Sequence, residues 1–279
     1  MVPRSHLLKP TIVGVLNVTP DSFSDGGNFL PFHQALEHAE RMIAEGADVI
    51  EVGGESTRPG ANPIPLSEEI GRAIPVIEEI VKRWPSTRVA IDTVKRDVAA
   101  AAIAAGAAIV NDVSALRLDP EIANVCAAAR CTLILMHSRG EVSSMARYDH
   151  TDYLRDDVTD AVVQELRLSV DKAVAAGVEP RHIVLDPGLG FSKRPGQSVQ
   201  VLAHLPRLLD LGFQVMVGAS RKRFIGELTG VKNPAQRGAG TIGANVVALT
   251  LGATWFRVHD VRDNRHALDA AAAILEARA

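Results

Sequence analysis

Apolar positions gather into short β-branched runs, each closing on a glycine or a polar residue and each followed by a stretch with helical spacing. Eight such runs can be read: 12–17, 47–54, 89–93, 107–113, 132–137, 182–188, 214–220 and 253–260. The segments between them are long enough for crossover helices, so the strands are expected to be parallel. After the first run Leu36, Ala39 and Ile43 recur at helical spacing, Glu37, Glu40 and Arg41 face away, and Gly46 sits where a C-cap belongs. The same stop signal returns at Ala105-Gly106-Ala107, Ala176-Gly177-Val178 and Leu251-Gly252-Ala253, each just before a strand. The unit is helix, glycine, strand.

Eight such units closed on themselves make a (β/α)8 TIM barrel, an α/β fold of about 250 residues. An open doubly wound sheet would usually carry a glycine-rich phosphate loop after its first strand, and no G-x-G-x-x-G follows here. The proline-rich stretch 58–65 and the polar stretch 138–152 fall just after strands, where barrel loops go, so neither reads as a linker. The expected organisation is a single domain: an N-terminal extension over 1–10 and the barrel over 11–279.

Composition narrows this picture. The chain has 279 residues and a net charge of −3, too balanced for a nucleic-acid partner. Aromatic residues make up only 4%, so small residues must pack the helices closely. Cys126 and Cys131 lie in an apolar stretch and read as small core residues. The uncharged run 241–256 is 16 residues long, short of the ~20 that a membrane span needs. The apolar stretch 11–18 follows Arg4 and Lys9 but lacks an A-x-A cleavage site, so cytoplasmic residence is expected.

In a barrel of this kind chemistry gathers at the carboxyl ends of the strands. Those ends carry Asn17, Glu55-Ser56-Thr57-Arg58, Asp92, Asn111-Asp112, Met136-His137, Asp186, Ser220-Arg221-Lys222, and Arg257 with His259. Singly, each also fits a turn former or a structural residue. Convergence on one rim gives them weight. Arg257 and His259 are two apart and share the inward face, while Phe256 and Val258 take the other. With Arg58, Arg221 and Lys222 they form a positive rim suited to a polyanion such as a diphosphate. Asp92, Asp186 and Asn111 can exchange hydrogen bonds with an amide- or guanidine-like heterocycle edge. No H-x-H or H-E-x-x-H offers a zinc site. Asn17 could give one oxygen to Mg²⁺, which takes its other ligands from water and substrate phosphates.

The runs GVLNVTPDSFSDGG (14–27) and GGESTRPG (53–60) resemble the two signature loops of the dihydropteroate synthases. The likeness continues through DPGLGF (186–191), GASRK (218–222) and RVHD (257–260), in the family's order and spacing, and covers nearly the whole chain. That family joins 6-hydroxymethyl-7,8-dihydropterin diphosphate to 4-aminobenzoate, releasing diphosphate and forming 7,8-dihydropteroate for folate synthesis, and it is the sulfonamide target. The resemblance implies that Asp92, Asn111, Asp186 and Lys222 hold the pterin, that Thr57, Arg257 and His259 meet the diphosphate, and that Asn17 holds Mg²⁺. It further implies that Arg58, Pro59 and Phe191 shape the aminobenzoate pocket, that Met136 and Ser220 line the substrate site, and that Asp92, Lys222, Arg257 and His259 carry catalysis. The loops 19–27 and 56–63 would close over it. A homodimer is implied too, with no nucleic acid or membrane partner.

Departures from the family pattern bear on sulfonamide sensitivity. Arg223 stands where many relatives have a serine facing the aminobenzoate carboxylate, the loop after the fourth strand reads Val113-Ser-Ala115 where glycine is usual, and Ser198 replaces a common asparagine. Four rivals are set beside this reading. One is the pterin-binding barrel of a corrinoid methyltransferase, which would need a cobalamin domain; another is a paralogue that binds pterin without catalysis. A third is a Schiff-base aldolase using Lys222, and a fourth is a sulfonamide-insensitive synthase.

Overall fold

The structure, a computed structural model, describes residues 9–18, 29–56, 63–153 and 157–278. Eight parallel strands close in chain order: β1 Thr11–Asn17, β2 Val49–Gly53, β3 Arg88–Asp92, β4 Ile109–Asp112, β5 Thr132–Met136, β6 Ile183–Asp186, β7 Gln214–Val217 and β8 Trp255–Val258. β8 pairs back onto β1, with Trp255 opposite Thr11 and Arg257 opposite Val13. Among the described residues one α-helix follows each of the first five strands: α1 Phe29–Ala44, α2 Leu66–Arg83, α3 Arg96–Ala104, α4 Ile122–Ala129 and α5 Val158–Ala175. Two helices follow β6, α6 Pro195–Ala203 and α7 Pro206–Leu209. Two more follow β7, α8 Arg223–Thr229 and α9 Gly238–Leu251, and α10 Val261–Glu276 follows β8. The (β/α)8 barrel expected from the sequence is what forms.

The repeated glycine does the work its position implies. Gly46, Gly106, Gly177 and Gly252 have φ of 97, 102, 96 and 111°, which costs an L residue roughly 1–2 kcal/mol and a glycine almost nothing. The next N–H then reaches back over the helix end, from Ala47 to the Met42 carbonyl, Ala107 to Ala102, Val178 to Ala173 and Ala253 to Ala248. Each helix is thereby closed and aimed into the following strand.

Period two divides the core. Val13, Val49, Ala90, Ile109, Ile134, Val184, Met216 and Trp255, one from each strand, fill the barrel's interior. Their neighbours Ile12, Ile50, Ile91, Val110, Leu133, Leu185, Val217 and Phe256 face outward and pack on the helices. There Ala35, Ala39, Ala99, Ala102 and Ala123 are buried, which is where the small residues let helices approach the sheet. Cys126 and Cys131 are buried and free, as expected of core residues. Among the described residues no helix is long and apolar enough to cross a membrane.

Seven strands stop one to three residues short of the limits read from the sequence. Past the ladder a single bond still ties Thr93 N–H to the Asn111 carbonyl and His137 N–H to the Asp186 carbonyl, and the chain then turns away. The turn after β4 is made by Asp112, whose carboxylate accepts from the N–H of Ser114 (2.8 Å) and the N–H of Leu116 (2.6 Å). Asp112 is thus a turn former, the plain alternative for a strand-end aspartate.

Candidate active site

Two residues above the apolar interior set, the inward positions are Val15, Glu51, Asp92, Asn111, Met136, Asp186, Gly218 and Arg257. The polar members meet. Arg257 is bound through Nε and Nη2 by Glu51, and its Nη2 also donates to Asp92 Oδ2 at 3.0 Å. Its Nη1 makes no hydrogen bond to the described residues. Burial works against the guanidinium charge, but Glu51 and Asp92 outweigh it and keep Arg257 cationic. For Asp92 the balance runs the other way: burial, then the charge of Glu51, pushes its carboxyl up to about 8 against the pull of Arg257.

Glu51 also settles the orientation of Asn111. Asn111 Nδ2 donates to Glu51 Oε1 at 2.8 Å, and a carboxylate can only accept, so the amide must turn its oxygen away from Glu51. Asn111 is 1% exposed, and its Oδ1 is buried with no partner among the described residues. An unpaired buried acceptor costs about 1–3 kcal/mol, which a ligand N–H would recover. Asp186 adds a second acceptor: Oδ1 takes the Gly188 N–H at 2.7 Å and Oδ2 remains. Burial raises its carboxyl, with the Gly188 bond and the charges of Lys222 and Arg257 opposing. At Gly218 a Cβ would stand 3.7 Å from Asp186 Oδ2 and 3.9 Å from Arg257 Cβ, so its absence leaves a cleft between the two.

Around this centre stand the other expected residues. Lys222 Nζ donates to the Leu189 carbonyl at 2.6 Å and lies 4.0 Å from the centre of the Phe191 ring. Burial brings its ammonium down to about 7, with Asp186 resisting. His259 Nδ1 meets Ser220 Oγ at 2.9 Å, and burial together with the Arg257 and Arg221 charges lowers its imidazole to about 4, so it is neutral near pH 7. Met136 joins an apolar wall with Val94, Val113, Val142 and Met145, against which Phe191 packs. Asn17 ends β1 opposite Gly53, and a Cβ on that glycine would lie 3.5 Å from Asn17 Oδ1 and 3.8 Å from Asp92 Cβ. The Asn17 amide makes no hydrogen bond among the described residues. It offers one oxygen there, and among the described residues no group of three or more His, Cys, Asp or Glu could hold a metal by itself. That donor set fits a cation whose other ligands come from water and an anionic substrate.

The structure therefore brings together Asn17, Asp92, Asn111, Met136, Asp186, Phe191, Ser220, Lys222, Arg257 and His259. Thr57, Arg58 and Pro59, and the loop 19–27, lie outside the described residues. The Arg221 guanidinium pairs with Asp260, beside His259, on whose imidazole its charge still acts. Glu51 escaped a reading that began at strand ends. Its signal was an acid two residues after inward Val49 in the otherwise apolar VIEVG. Lys193 was missed as well, since two of its three partners are loop carbonyls, which leave no mark in a sequence.

The parallel barrel thus carries, at the carboxyl ends of its strands, a buried cation beside a set of hydrogen-bond acceptors, the arrangement of a barrel enzyme's ligand site. A family model for pterin-binding enzymes matches residues 13–259. A dihydropteroate synthase of Mycobacterium leprae is 44% identical over 271 residues, 95% of this chain and 94% of that protein. The Xanthomonas albilineans dihydropteroate synthase, solved with 4-aminobenzoic acid, superposes with a TM-score of 0.89 at 45% identity, covering 96% of this chain and 94% of that one. The Yersinia pestis dihydropteroate synthase, solved with a sulfonamide drug, gives 0.88 at 37% identity and 99% coverage of both chains. The chain belongs to the dihydropteroate synthase family of pterin-binding enzymes.

Proposed function

We propose that the chain condenses 6-hydroxymethyl-7,8-dihydropterin diphosphate with 4-aminobenzoate to give 7,8-dihydropteroate and diphosphate. The observation that carries this reading is the acceptor set. Asn111 Oδ1, turned from Glu51, works beside the carboxyl groups of Asp92 and Asp186. A pterin presents a matching edge of N–H donors. Lys222, bound at the Leu189 carbonyl and facing Phe191, sits where the ring and the incoming aniline meet.

Reaction requires the carbon–oxygen bond at the pterin methylene to break as charge builds on the diphosphate. Arg257 keeps Nη1 free for that charge while Glu51 and Asp92 hold the rest of its guanidinium, so it needs no reorganisation as the bond breaks. His259 is neutral in the free protein, and a bound diphosphate would raise its imidazole toward protonation. Asn17 would hold Mg²⁺, which would supply positive charge at the leaving group. The electron-rich ring spreads the methylene's positive charge, and the aniline nitrogen attacks. Thr57, Arg58 and Pro59 complete the diphosphate and aminobenzoate sides in this reading.

The test is direct: supply Mg²⁺, the pterin diphosphate and 4-aminobenzoate, and follow diphosphate release with and without the amine. Dihydropteroate that forms only with 4-aminobenzoate, and is suppressed competitively by sulfamethoxazole, is the expected result. Diphosphate release indifferent to the amine would sink the reading. Cytoplasmic residence and pairing into a homodimer belong to the same proposal; sedimentation at micromolar concentration checks the second.

A further inference from the structure

Lys193 is 1% exposed and heads the fully buried side chains by volume. Its Nζ meets three acceptors: His137 Nδ1 at 2.8 Å, the Gly188 carbonyl at 3.1 Å and the Phe191 carbonyl at 3.1 Å. That count equals the donor capacity of an ammonium. Burial lowers the group to about 7 while Asp186 supports the charge. Because His137 accepts at Nδ1, its proton sits on Nε2 and is donated to Glu165 Oε2 at 3.0 Å. Glu165 also binds Arg139, which lies 3.9 Å over the Tyr153 ring, and the Tyr153 hydroxyl donates to the Ser192 carbonyl at 2.8 Å. The chain of contacts begins and ends on the segment after β6.

That segment supplies much of the site. The Gly188 N–H fixes Asp186, the Leu189 carbonyl receives Lys222, and the Phe191 ring faces the Lys222 ammonium. Its path is tight: Gly188 has φ of 65°, and a Cβ there would lie 1.9 Å from the His137 carbonyl oxygen. Lys193 gathers two carbonyls of this turn onto one buried charge.

We infer that Lys193 is a positioning residue, which by holding the Gly188 and Phe191 carbonyls sets Phe191 and the Leu189 carbonyl, and through them Lys222, for the incoming aminobenzoate. This rests on the condensation proposed above. K193M removes the three donors and keeps the stem. The expected result is an aminobenzoate KM raised about tenfold or more with the pterin diphosphate KM within about threefold of the parent's, since Asp186 stays in the β6 ladder while the Phe191 end of the turn is loosened. H137L, which strands one Lys193 proton, should shift the same KM in the same direction. H137N keeps an acceptor for Lys193 and should restore the parent value. Equal rises in both KM values, an unchanged aminobenzoate KM in K193M, or H137N behaving like H137L would overturn the inference. If K193M does not fold, the two His137 variants decide it. Parent activity tests the condensation separately. Amide exchange in the ligand-free protein, expected to quicken at Gly188 and Gly190 in K193M, reports on the turn whether or not the parent is active.

Discussion

The barrel's interior holds two layers only two residues apart on each strand, and they obey opposite rules. The lower layer of Val13, Val49, Ala90, Ile109, Ile134, Val184, Met216 and Trp255 is apolar, with no exposure above the 5% of Trp255. The upper layer is as deeply buried at Glu51 (1%), Asn111 (1%) and Asp186 (2%), yet it is charged. Backbone geometry is common to both, so the difference is side-chain chemistry alone. The lower layer is satisfied by packing. In the upper layer two carboxyl groups share one guanidinium, and an amide oxygen has no partner among the described residues. One layer is finished without a ligand, and the other is completed by one.

Substitutions should break this contrast unequally. Arg257→Ala removes the upper layer's central cation and strands Glu51 and Asp92; turnover should fall about a hundredfold or more in steady-state assays. Folding should also lose about 3–5 kcal/mol, read in denaturant titrations. A near-normal rate would contradict the role given to Arg257.

Asp92→Asn should weaken the pterin diphosphate by at least about tenfold, because one acceptor of the ring edge is replaced and Arg257 loses a partner. Its stability carries a pH signature. The Asp92 carboxyl is held up at about 8, above its ordinary 3.8, so burial costs the parent nothing below pH 4 and most above pH 8. Melting temperatures of parent and variant should therefore diverge across that window, the variant gaining relative to the parent as pH rises. Parallel curves would rule out the shift.

Glu51→Gln touches no substrate and tests the layer's internal logic. A glutamine can donate as well as accept, so Asn111 is no longer obliged to present its oxygen. The KM for the pterin diphosphate should rise about tenfold or less, with that of aminobenzoate unchanged. The smallest effect belongs to the lower layer: Ile134→Val should cost ~1 kcal/mol of stability and leave both KM values where they were. If it disturbed catalysis as much as Glu51→Gln, the two layers would not be separable.

How far the sequence reaches can be judged on the same residues. Period two placed Arg257 and His259 on one face and Phe256 on the other, and the structure agrees. The strand-end rule found Asp92, Asn111 and Asp186, since a polar residue closing an apolar run stands out locally. It could not show that the Arg221 guanidinium pairs with Asp260, 39 residues away. It passed over Glu51, whose meaning depends on Asn111 and Arg257, 60 and 206 residues distant.

What the sequence determined by itself was local and periodic: eight alternations of strand and helix, the glycine that ends a helix before its strand, and the face on which each residue lies. Those follow from backbone stereochemistry and hydrophobic period, which act over a few residues. Tertiary structure alone decided which buried charges meet. Closing the barrel sets Glu51 between Asn111 and Arg257 and gathers the Gly188 and Phe191 carbonyls onto Lys193. In that low-dielectric interior the pairing of a charge fixes its protonation and its orientation, and pairing is a property of distance in space.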